Sequence, residues 1–162
     1  MAVVEVKING LAVDTQAKSH VVILKEKEGE RVLPIWIGPA EAQAIARELA
    51  GQRFQRPLTH DLLATIIEGL KAKVTRVVIA DLRENTFFAQ LLIERDGEVV
   101  VVDARPSDSL AVALRCGADI FVNERLLSEP EEHDEPTAEE KAQELRKFLE
   151  NLDPEDFGKY EP

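Results

Sequence analysis

Four consecutive valines, Val99 to Val102, run into the charged segment Asp103-Ala104-Arg105, then Pro106-Ser107-Asp108, then an apolar pattern at helical spacing that ends at Cys116. An unbroken β-branched run predicts a strand covered on both faces. Proline at a first helical turn, with short polar residues beside it, predicts a helix start in which Ser107 and Asp108 serve as caps. Upstream, Val3 to Val13 alternates partially and predicts a strand bent at Asn9-Gly10. Val21 to Lys27 and Arg31 to Ile37 predict a hairpin around Glu28-Gly29-Glu30. Pro39 opens a helix with Ala42, Ile45, Ala46 and Leu49 on one inward stripe, and Gly51 stops it. Trp36, at the end of an apolar strand, is expected in the core. Thr59 caps a second helix in which Leu62, Leu63, Ile66 and Leu70 face inward, while Asp61 and Glu68 face out.

The pattern then starts again. Strands at Val74 to Asp81, Thr86 to Arg95 and Glu98 to Asp103, with an Asp96-Gly97 turn, lead into the helix from Pro106. An offset of 68 sets Gly29 on Gly97, Pro39 on Ser107 and Arg47 on Arg115, so the chain reads as an internal repeat of strand, hairpin and helix. Asp119 to Val122 is a short last strand and Asn123 to Leu127 a helical turn. The fold class is therefore α/β (α+β): mixed sheet with helices and a further C-terminal helix. Residues 1–127 form the domain, 128–136 an acidic linker bounded by proline, and 137–162 a tail. Thr137 and Glu140 form a capping box at the start of the tail, whose Ala138, Ala142, Leu145, Leu149 and Leu152 lie on one narrow stripe expected to dock on the body.

Charge changes the picture only after division. The net charge is −11, but residues 1–125 hold 16 basic and 18 acidic residues, whereas residues 126–162 hold 4 and 13. A nearly neutral body can present a basic face, so phosphate-bearing partners are not excluded. A hydrophobic content of 44% suits a real core. The single cysteine, Cys116, has no partner for an internal disulfide and points to the cytoplasm. No stretch approaches the about 18 apolar residues of a membrane helix, and no secretory leader is evident, so no membrane partner is expected.

Three predicted helix starts carry the candidate chemistry: Glu41 beside Pro39; His60 and Asp61 after Arg56; and Asp103, Arg105, Ser107 and Asp108. If they converge, Glu41, Asp103 and Asp108 would hold Mg²⁺ or Mn²⁺, which take oxygen ligands. Arg56, Arg105 and Ser107 would bind phosphate, and His60 would move a proton. Arg47 and Arg115 close their helices, where a cation complements the dipole, and are expected to be structural. Cys116 closes a helix and is expected to pack rather than react. No phosphate-binding glycine loop, dinucleotide fingerprint or zinc spacing occurs.

At these same residues the sequence resembles a known family. LPIWIGPAEAQAIA (Leu33 to Ala46), RPLTHDLL (Arg56 to Leu63) and VDARPSDSLAVAL (Val102 to Leu114) are similar, in order, to three signature blocks of the bifunctional nuclease domain family. The acidic linker and terminal helix, ending NLDPEDFGKY, are similar to the tail of bacterial members. The resemblance implies an α/β fold from a mixed sheet and helices, a homo-oligomer for which a dimer is favoured, and nuclease activity toward RNA and DNA of the kind attributed to plant members. Two functions follow as expectations: a metal-dependent nuclease acting on phosphodiester bonds, and a non-enzymatic regulatory module whose helix starts bind an anion or nucleotide.

Overall fold

The computed structural model describes residues 1–14, 16, 19–130 and 138–150. Strands β1 (Val3–Asp14), β2 (Ser19–Glu26) and β3 (Val32–Ile37) form an antiparallel meander that feeds helix α1 (Pro39–Leu49). Helix α2 (Thr59–Gly69) intervenes. A second meander of β4 (Lys73–Arg83), β5 (Thr86–Arg95) and β6 (Glu98–Ala104) feeds helix α3 (Pro106–Cys116). Strand β7 (Asp119–Asn123) follows, with a short 3-10 turn at Glu124–Leu126, and helix α4 (Ala138–Glu150) comes last. The repeat expected from the 68-residue offset is thus realised as two meander-plus-helix units.

All seven strands join one mixed sheet in the order β3-β2-β1-β7-β4-β5-β6. Strand β7 lies between the units, antiparallel to β1 and parallel to β4. The hairpins follow local backbone chemistry. Glu84-Asn85 and Asp96-Gly97 have positive φ at both positions, the mirror-image two-residue turns that match strand twist. The expected bend in β1 is a register shift between Ile8 and Leu11, with Gly10 at φ +123°.

The core lies between the sheet and its helices, with Val22, Leu24, Ile45, Val77, Ile79, Leu110 and Val122 fully buried. Helix α1 packs on β2 and α3, while α3 packs on β4 and β5. Helix α4 docks on β1 and α1, as its apolar stripe predicts: Leu145 reaches the core and Lys141 Nζ donates to Asn9 Oδ1 at 2.6 Å. Thr137 and Leu152, also assigned to that helix, lie outside the described residues. Ser128 pairs with Val32 through two backbone hydrogen bonds, so the chain stays attached to the body at the start of the expected linker.

Five expectations are corrected by the structure. The valine run is not covered on both faces: β6 is the last strand of the sheet, and Val99 to Val102 are 37–57% exposed. The apolar stripe of α2 is not inward either. Leu62, Leu63, Ile66 and Leu70 are 40–55% exposed, because α2 touches the body mainly through α3 and β4, with Ile67 reaching the core. Trp36 is exposed, since it pairs with Val21 on the sheet face opposite α1, and Leu49 is exposed at the last residue of α1, whose buried positions end at Arg47. Finally, Thr59 is the first residue of α2 rather than its cap: Leu58 holds that position, and Asp61 Oδ2 accepts the Leu58 N–H at 2.9 Å.

Candidate active site

The starts of α1, α2 and α3 meet. In α1, Gly38 precedes Pro39, and the Glu41 carboxylate folds back over Gly38 into space that a Cβ there would fill. In α3, Arg105 is the residue before the helix, Pro106 supplies its first turn, and Asp108 projects from that turn. In α2, His60 is the second residue. Asp108 Oδ1 accepts from His60 Nε2 at 2.9 Å and Asp108 Oδ2 from Arg105 Nε at 2.9 Å; Arg105 also reaches Glu41 Oε1 at 3.1 Å. Glu41, Arg105, Asp108 and His60 therefore form one continuous chain of charge-assisted contacts across three helix starts.

The electrostatics of the chain follow from its neighbours. Burial pushes the Asp108 carboxyl up, but the hydrogen bonds from His60 and Arg105, with the charge of Arg105, outweigh it and hold the group below the usual aspartate range. Arg105 is held more firmly protonated, first by its hydrogen bond to Asp108. An ionised Asp108 can only accept, so His60 donates from Nε2 and a neutral imidazole leaves Nδ1 as an acceptor. His60 and Glu41 are largely covered, while Arg105 is 65% exposed and is the member of the chain that faces solvent. No side-chain oxygen caps α1 or α3, so neither Ser107 nor Asp108 plays the expected capping role; the Ser109 hydroxyl instead donates to the Arg105 carbonyl.

The remaining expected residues are distributed around this chain. Arg56 is exposed on the segment before α2, as is Arg53, and neither forms an ion pair among the described residues. Ser107 is buried in the first turn of α3. Asp103 is exposed and does not meet the others. It pairs with Gln90, whereas the flanking Val102 pairs with the core residue Leu91, so alternation places Asp103 on the sheet face away from the helices. Among the described residues no three His, Cys, Asp or Glu side chains stand close enough to share a metal ion, and the Arg105 guanidinium lies between Glu41 and Asp108. Glu41, Asp103 and Asp108 therefore do not form a three-carboxylate metal cradle.

A second cluster beneath the first was not anticipated. The Arg115 side chain, 6% exposed, donates to Asp61 Oδ1 at 2.6 Å and to the carbonyls of Ala111 and Ala44 at 2.8 and 3.3 Å. Asp61 thus faces inward, contrary to expectation. Burial raises its pKa, but the Leu58 N–H and Arg115 together bring it below the usual aspartate range. One guanidinium clamps α3 to both α1 and α2, which sets the separation of the helix starts above it. Arg115 and Asp61 are 54 residues apart, so no local spacing signals the pair. Cys116 packs against the core, and burial pushes its thiol pKa up, as suits a packing residue.

These features define an α/β protein in which two meander-plus-helix units and an intervening helix bring their helix starts to one His–Asp–Arg–Glu chain. The chain belongs to the bifunctional nuclease domain family, whose model matches residues 22–135 and so includes every residue of that cluster. An uncharacterized protein of Mycobacterium tuberculosis is 41% identical over 162 residues, covering 94% of this chain and 97% of its own length. Bifunctional nuclease 1 of Oryza sativa subsp. indica is 26% identical over 114 residues, 68% of this chain. Bifunctional nuclease 1 of Arabidopsis thaliana is 27% identical over 109 residues, 65% of this chain. Each match covers 34% of the plant protein. No helix among the described residues is long and apolar enough to cross a membrane.

Proposed function

We propose that this protein hydrolyses phosphodiester bonds of RNA or DNA at the cluster formed by Glu41, His60, Arg105 and Asp108. The observation that carries the reading is the contact of His60 with Asp108, which leaves an imidazole nitrogen available next to an exposed guanidinium, within the region matched to the family. His60 Nδ1 takes a proton from the attacking water as its oxygen bonds to phosphorus; the ester P–O bond then breaks, and the leaving oxygen takes that proton from the His60 imidazolium, directly or through water, which restores the neutral imidazole. Asp108 orients the imidazole and offsets the positive charge it acquires, as the acid of a catalytic triad does. Arg105, with Arg56, balances the charge gathering on the phosphate, while Ser107, buried in the first turn of α3, would reach it only through the N-terminal end of that helix.

A requirement for Mg²⁺ or Mn²⁺ is part of this proposal, with Glu41 and Asp108 as the available carboxylates at the cluster and Asp103, on the opposite sheet face, outside it. Without a three-carboxylate cradle, such an ion would be held by one or two of them together with substrate phosphate, the usual manner for Mg²⁺. We also assign the protein to the cytoplasm, in keeping with its one free thiol. Labelled single-stranded RNA and DNA, incubated with purified protein and Mn²⁺ or with chelator, provide the test. Cleavage by wild type that is lost in His60→Ala supports the proposal, and equal cleavage by both proteins refutes it as contamination.

The second reading, a non-enzymatic anion-binding module, is favoured by one observation: Arg105 already spends its contacts on Glu41 and Asp108. Under that reading nucleotide or nucleic acid binds with no turnover, and His60→Ala leaves the affinity unchanged.

A further inference from the structure

We propose that this protein binds a small organic cation, an amine with an apolar body, in the cavity between α4 and the sheet face opposite α1. The inference does not depend on the nuclease reading, since none of Glu41, His60, Arg105 and Asp108 lines that cavity. The space measures about 710 Å³, within the roughly 300–1,000 Å³ of small-molecule sites.

Strand alternation builds the floor. Val22 and Leu24 of β2 point into the main core, so Val21 and Ile23 face the other way, where they join Val32 and Ala12 in a separate apolar cluster. Across the β2–β3 pair, Trp36 stands opposite Val21 and Pro34 opposite Ile23, on that same face. All six residues line the cavity. Trp36 is 57% exposed, which leaves its indole open to a ligand.

The charged groups around this floor are of one sign. Asp14, Glu129, Glu140 and Glu144 contribute carboxylates, and no Lys, Arg or His among the described residues lines the cavity. Glu140 and Glu144 stand one turn apart on α4, a like-charge spacing that costs free energy unless a cation offsets it. Glu144 supplies an independent sign of a ligand. Its Oε2 is buried with no hydrogen-bond partner among the described residues, and its Oε1 lies 3.8 Å from Lys147 Nζ, beyond hydrogen-bond reach. A buried acceptor without a donor is costly, and an ammonium N–H is the group that meets it. The indole adds the attraction of an aromatic face for a cation. Size thus selects a small molecule over a polypeptide, and the one-signed lining selects a cation over a neutral or anionic ligand.

Phenethylamine, with its neutral counterpart phenethyl alcohol and its anionic counterpart hydrocinnamate, provides the test on the full chain. Trp36 is the single tryptophan, so its emission reports on the cavity directly. Phenethylamine should shift that emission to the blue in a saturable way and, by calorimetry, bind about 10-fold more tightly than phenethyl alcohol, the worth of one charge-assisted hydrogen bond. Hydrocinnamate should bind most weakly. Glu144→Gln should weaken the amine by about the same factor and leave the alcohol unchanged, whereas Glu84→Gln, in the turn between β4 and β5, should alter neither. If Glu144→Gln fails to fold, the three-ligand series on the wild type decides. Equal affinity for all three ligands, no amine binding at millimolar concentration, or amine binding that a folded Glu144→Gln leaves unchanged overturns the proposal. So does binding of a Lys–Leu repeat peptide in place of the amine, which would mark a protein-docking groove.

Discussion

His60 Nε2 and Asp108 Oδ1 approach to 2.9 Å from two helices whose contact residues are 48 positions apart in the chain. The contact joins the intervening helix to the second unit and fixes the tautomer of the imidazole. In single-turnover assays His60→Ala and Asp108→Asn should each lower phosphodiester cleavage by about 10²–10⁴-fold, the range expected of a lost general base. The double variant should be little worse than either single one, since the two groups act as a unit.

Arg115→Met should reduce stability without touching the proposed chemistry directly. The substitution keeps the aliphatic length but leaves Asp61 and the Ala44 carbonyl without their donor. A loss of about 2–3 kcal/mol is expected, below the full cost of breaking a buried pair because Asp61 is partly exposed. In thermal denaturation this corresponds to a fall of roughly 5–10 °C for a chain of this size.

Acid should act through the same two aspartates. Asp61 and Asp108 both have folded-state pKa values below the ordinary aspartate value of about 3.9, so the native state binds fewer protons than the unfolded state as pH falls. Their stabilisation is complete above that value and disappears as pH drops through the lower folded-state values. Melting temperature followed from pH 6 downward should therefore fall most steeply below about pH 4. Asp61→Asn should flatten part of that fall.

Arg53 and Arg56 stand exposed before α2 without ion pairs among the described residues, available to phosphate. Arg53→Ala and Arg56→Ala should each weaken binding to a single strand and reduce the slope of log affinity against log salt by about 0.7, the share of one phosphate contact. Titrations at several salt concentrations measure this. An unchanged slope would place the nucleic-acid path elsewhere.

Gly117 offers a backbone test. It closes α3 at φ +65°, with nothing near the position a Cβ would take. Gly117→Ala should therefore cost only the left-handed backbone penalty, about 1 kcal/mol, measurable by denaturant midpoint.

What the chain alone determined is the set of elements and their order. Period-two and period-3.6 patterning, the Asp96-Gly97 turn and the prolines at helix starts are local, and local backbone chemistry settles them; the 68-residue echo between Pro39 and Ser107 likewise foreshadowed two units. Grouping Glu41, His60, Arg105 and Asp108 was also legible, because each sits at a helix start in a signature block. Sheet order and layer packing decided the rest. Asp103 is one residue from Ala104, yet strand alternation puts it on the opposite face. A valine run looks alike in mid-sheet and at an edge, and the stripe on α2 does not say what covers it, since periodicity reports which residues share a face and not what lies across from it. The Arg115–Asp61 clamp is hidden for the same reason: its partners meet only once three helices have packed.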